Sequence, residues 1–234
     1  MNARTWIVGM LLATAALPAI AQESGDVTAV VPRRAAGGPA KTWELGLGIG
    51  YSQGVGDVGG SSPTLTDIAH GGGEVQLNVG YRINPRWLIG IYGTAGKYTL
   101  GSGTPDGSDV WGATAGVQAN YHFMPDQDWD PWIGLASGWR GQWIDKQSAG
   151  TDVRHGLEMA RLQVGLDYRV SPEFAVSPYL GVSANIYLSQ ELTGQKGFSN
   201  VSDPNVNIFF TGGIMGRFDL QPLRPQPPVE VASN

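Results

Sequence analysis

From Trp43 onward the chain alternates apolar and polar residues in stretches of about ten, the two-residue period of a strand with one greasy face. Trp43, Leu45, Leu47, Ile49 and Tyr51 share one parity, with Glu44, Gly46, Gly48, Gly50 and Ser52 on the other. Val75, Leu77, Val79 and Tyr81 alternate with Glu74, Gln76, Asn78, Gly80 and Arg82. The pattern returns with Trp111, Ala113, Ala115, Val117, Ala119 and Tyr121 against the set ending at His122. It returns again with Leu162, Val164, Leu166 and Tyr168 against Arg161, Gln163, Asp167 and Arg169. The last stretch sets Ile208, Phe210, Ile214 and Phe218 against Asn207, Thr211, Met215 and Arg217.

Three intervening stretches are less regular. Residues 86–98 place Trp87, Ile89 and Ile91 on the apolar side, residues 132–141 place Ile133, Leu135 and Trp139 there, and residues 174–187 run from Phe174 to Ile186. Pro178 lies in the last of these and cannot donate to a ladder, so a bulge or a missing bond is expected there. Residues 157–166 also have a helix-forming composition, but the alternation continues to Tyr168 and favours a strand. Eight strands result. Their connections alternate in length: 82–86, 123–130 and 170–173 are short and contain Pro85, Pro125 and Pro172. The others, at 53–72, 99–108, 142–156 and 188–205, are rich in Gly, Ser, Thr, Asp and Asn, as solvated loops are.

This arrangement predicts an all-β fold: an eight-stranded antiparallel up-and-down transmembrane β-barrel over residues 42–220, with both termini in the periplasm. A soluble lipocalin-like barrel also has eight strands, but its outward side faces water and is rich in Lys, Glu and Asp. Here the polar parity is mostly Gly, Ser, Thr, Asn and Gln, and the apolar parity carries charge only at Lys97 and Glu158, near loop ends. A lipid-facing exterior follows, since a midplane Arg or Lys there costs about 2–4 kcal/mol. Trp43, Tyr81, Trp87, Tyr121, Tyr168, Phe174 and Phe218 then fall at one height, where an interfacial aromatic girdle belongs. Tyr51, Trp111 and Trp139 mark the opposite rim.

Arg4, the apolar run from Trp6 to Leu17 and Ala19-Ile20-Ala21 make residues 1–21 a secretory signal peptide. Residues 22–41 read as a flexible periplasmic arm, and 221–234, with Pro222, Pro225, Pro227 and Pro228, as an extended periplasmic tail. The chain has no Cys, which excludes disulfides, thiol catalysis and a Cys-ligated metal. A net charge of -5 without a basic stripe argues against nucleic acid as a partner.

The export signal, the eight alternating strands, the Pro-containing turns and the closing Gly212-Gly213-Ile214-Met215-Gly216-Arg217-Phe218 resemble the small OmpA/OmpX-type outer-membrane barrels. The resemblance is architectural and rests on no single diagnostic motif. It implies contact with outer-membrane lipid and lipopolysaccharide, and a closing strand that the barrel assembly machinery reads through its final aromatic. Here Phe218 is followed by further chain, so that signal would be read internally.

An eight-stranded barrel is just wide enough for its own side chains to fill. Inward charges must therefore pair, and Glu44, Arg82 and Arg217 are expected to form an interior cluster, with Asp167, Arg169 and Asp219 around the same rim. No cofactor is implied. A hydrolase would need a Ser-His-acid group, and the sole local candidate is His155 with Ser148, Asp152 and Glu158. Asp126, Asp128 and Asp130 resemble the start of a calcium loop, yet Pro131 stands where Gly is needed and Ser137 where the bidentate Glu belongs. A solvated acidic turn is the expectation there, with no metal. Gly46, Gly48 and Gly50 lack a following helix to receive phosphate, and relief of crowding is the expected role. The expected function is structural or surface contact through the loops, without catalysis; the alternatives are a narrow channel for ions or small solutes and, more remotely, a lipid A-modifying enzyme.

Overall fold

The computed structural model describes residues 40–59, 64–147, 150–194 and 197–220. The leader at 1–21, the arm as far as residue 39 and the tail at 221–234 lie outside the described residues. The elements are β1 (Thr42–Val55), α1 (Leu65–Ile68), β2 (Ala69–Arg82), β3 (Trp87–Leu100), β4 (Asp109–His122), β5 (Trp129–Asp145), β6 (Thr151–Ser171), β7 (Phe174–Glu191), β8 (Ser199–Asn200) and β9 (Val206–Leu220). Each strand pairs antiparallel with its neighbours, β1 meets both β2 and β9, and β7 meets both β6 and β9. The ring is thus closed by eight strands, while β8 is a two-residue addition to the end of β7. Closure leaves no open edge among them, the condition for a sheet in hydrocarbon.

Burial follows the alternation, and its sense is that of a membrane barrel. Leu47, Ile49, Val117, Leu135 and Leu180 point outward and are well exposed, while Gln76, Asn78, Thr114, Gln118, Asn120, Gln163 and Asn185 are buried inside. The connections 83–86, 123–128 and 172–173 lie at one end with Thr42 and Leu220, here called the turn rim. Their opposites form the loop rim.

Three local departures have physical causes. In β6, Met159 and Ala160 both face outward, since Glu158 lies opposite Gly138 and Arg161 opposite Ala136, leaving two residues to face Ser137. This bulge reverses the parity. The plain alternation places Glu158 on the apolar side, whereas it is 0% exposed inside the barrel; Lys97 stays outside, paired with Asp109 at 2.6 Å. At Pro178 the ladder to β6 lapses opposite Leu166 and resumes in register at Tyr168 and Val176, and Pro178 still faces Ile214 of β9. Finally, β5 and β6 continue beyond the expected rim, so most of the loop expected at 142–156 is strand and only 146–150 connects them.

Candidate functional site: the barrel lumen

The interior is filled in three tiers. At the turn rim, two pairs of carboxylates sit directly across from each other, Glu44 opposite Asp219 and Asp130 opposite Asp167. Like charges in that position repel, so each pair requires a bridge. Arg82 spans the first, with Nη2 2.6 Å from Glu44 and Nε 3.2 Å from Asp219. His122 spans the second, its Nδ1 2.7 Å from Asp130 and 3.7 Å from Asp167. Arg217 joins the two pairs, 2.6 Å from Glu44 and 3.6 Å from Asp167, and Arg169 closes on Asp219 at 2.8 Å.

All six residues expected in an interior cluster therefore meet in one network. Sequence reasoning missed His122 and Asp130. Asp130 is a correction: it is 4% exposed and accepts the Met124 amide at 2.9 Å, while Asp126 and Asp128 remain exposed in the turn. The signal was present in the dipeptides. Tyr81-Arg82, Tyr121-His122, Tyr168-Arg169 and Phe218-Asp219 end strands with a ring outside and a polar group turned toward the lumen, and Trp43-Glu44 and Trp129-Asp130 begin them the same way.

His122, Asp130 and Asp167 offer ligand atoms within 4.8 Å of one another, the spacing of a metal group. Arg217 Nη2, however, lies 3.3 Å from His122 Nε2 and can only donate. Nε2 must then accept, which leaves the proton on Nδ1, directed at Asp130. A metal on Nδ1 would require the other tautomer and set two donors against each other. The group does not fit a metal.

In the middle tier Glu158 pairs with Arg161 at 2.9 Å and accepts the Tyr92 hydroxyl, while Arg161 lies over the Tyr92 ring. Gln76 donates to Asn78 at 3.0 Å and accepts from Gln163 at 3.2 Å. Trp132 donates to Ser177 at 2.8 Å and covers Gly165, where a Cβ would stand 2.5 Å from the indole. Gly46 behaves similarly, since a Cβ there would come within 3.0 Å of Met215 Sδ. At the loop rim the filling becomes apolar. Leu65 and Ile68 of α1 pack with Val58, Val110, Ile144, Val201 and Phe209, and Thr64 caps α1 through a reciprocal bond pattern with Asp67.

Outside, the aromatic residues meet across strands. Trp43 packs against Tyr81, Trp87 against Tyr121 and Phe174 against Phe218, with ring centroids 5.4, 5.0 and 4.6 Å apart. Tyr168 pairs with Trp129, which sequence reasoning overlooked, at 4.5 Å. His155 faces outward too, between Trp139 and Trp143, whereas Asp152 and Glu158 face the lumen. Opposite faces of one strand separate the imidazole from both acids, and Ser148 lies outside the described residues.

A closed ring with a greasy exterior and a filled polar interior defines an integral membrane β-barrel. Solved structures share the fold. Neisserial surface protein A is similar at a TM-score of 0.51 and 17% identity, over 76% of this chain and 97% of that one. AlkL, an outer membrane protein solved by solid-state NMR in DMPC bilayers, is similar at 0.52 and 15% identity, over 84% of this chain and 98% of that one. No protein-family model and no curated protein matches the sequence. The architecture is that of the small eight-stranded outer-membrane barrels.

Proposed function

We propose that the protein is a sealed, non-catalytic component of the outer membrane, with its turn rim in the periplasm and its loop rim offered for contact at the cell surface. The supporting observation is the lumen, where buried side chains form ionic, amide and apolar tiers one after another. The outer rings at Trp43, Tyr81, Trp87, Tyr121, Trp129, Tyr168, Phe174 and Phe218 serve as an interfacial belt against lipid, and the opposite belt meets lipopolysaccharide. Phe218 lies in the closing strand, where the assembly machinery would read it. Surface contact falls to the connections 56–68, 101–108 and 192–205, because the one between β5 and β6 is short.

Planar-bilayer recording tests the reading. The purified protein is expected to insert without unitary current. A reproducible conductance would instead favour the narrow channel. Unchanged lipid A profiles on expression of the protein are expected as well, and a new lipid A species would favour an enzyme.

A further inference from the structure

The loop half of the lumen contains two buried arginines that make no direct ion pair among the described residues. Arg140 is 3% exposed and Arg154 is 5% exposed, and among the described residues neither has a carboxylate within 4.0 Å. The nearby acids stop short of a direct ion pair. Asp152, two residues from Arg154, is held by Lys146 at 2.6 Å and by the Thr193 hydroxyl at 2.8 Å, and Glu74 is joined to Arg140 only through the Tyr98 hydroxyl, 3.4 Å from the carboxylate and 3.5 Å from the guanidinium. Arginine cannot shed its proton to escape burial, so a positive charge in this position calls for a counter-charge.

The geometry shows where one would enter. The Arg140 guanidinium lies flat on the Phe209 ring at 3.5 Å, which closes that face. Its terminal nitrogens make long contacts, 3.4 Å to Thr114 and 3.5 Å to Tyr98, and Nε has no partner. Arg154 Nε and Nη1 and the Tyr187 hydroxyl are also buried without partners. Tyr187 and Arg140 line one cavity, and Arg154 stands across the ladder from Gln142 of the same lining. Arg140, Gln142, Tyr98 and Tyr187 line a small cavity beneath Leu65 of α1, with His70 at its mouth and about 10 Å³ open to the centre of a water-sized body. That admits one small particle.

We propose that this cavity is a binding site for a single halide-sized anion, held by the Arg140 guanidinium with the Tyr187 hydroxyl beside it. The anion supplies the direct ionic contact that Arg140 lacks and fastens α1 over the mouth of the barrel. A sulfate is too large to enter the cavity whole.

Thermal unfolding of the purified protein in detergent micelles, at constant ionic strength, reads the site directly. Replacing sodium gluconate by sodium bromide is expected to raise the midpoint by about 2–4 °C and then saturate. Sodium sulfate should not reproduce the rise, Arg140→Gln should abolish it and Tyr187→Phe should weaken it. Crystals grown in bromide should show an anomalous peak beside Arg140, which decides the matter even where a variant fails to fold. A cavity without that peak, or an equal rise in sulfate, would overturn the proposal.

Discussion

Glu44 shows what a single side chain does in this interior. It meets Arg82 from one neighbouring strand and Arg217 from the other, so its charge is shared by β1, β2 and β9. Glu44→Gln preserves the shape but leaves two buried arginines short of a partner, and should lower unfolding stability by about 3–5 kcal/mol. Lys97→Ala removes an ion pair of similar length on the exposed outer face, and should cost no more than about 1 kcal/mol. Urea unfolding in detergent checks both, and equal losses would deny the network its importance. The acidic and basic members were legible because each follows the parity of its strand. Asp130 was not, since its position in an Asp-rich turn hides the fact that β5 has already begun at Trp129.

At the scale of the strand, alternation gave the correct face wherever pairing is regular and failed where a residue is inserted. The bulge at Met159 and Ala160 is invisible to a two-residue period, because both halves of β6 alternate correctly on their own. It lets Arg154 and Glu158 share the lumen with Arg161 and Asp167. Deleting Met159 would remove the bulge and leave Asp152, Arg154 and Glu158 facing the lumen in register with both neighbouring strands. The variant should therefore keep the compact band seen before heating on a detergent gel, and loss of that band would show that β6 needs its inserted residue. The helix α1 was equally illegible. Four residues give no period, and its packing depends on Tyr98, Val110 and Phe209 from distant strands.

For the molecule as a whole, the outer surface and the closed ring are one requirement seen twice. A face carrying Leu47, Ile49, Val117 and Leu180 belongs in acyl chains, and a sheet placed there cannot keep a bare edge. A chain ending at Asn205, which lacks β9, should therefore yield no compact monomer on the same gel. The seam between β1 and β9 has a further consequence. The two strands that meet there come from opposite ends of the barrel sequence, and Glu44 faces Asp219 across the gap. Without Arg82 wedged between them, the first and last strands repel at the very point where they must zip. Arg82 already stands beside Glu44 on the neighbouring strand, so the closing strand brings Asp219 to a waiting cation and delivers Arg217 to Glu44 in the same step.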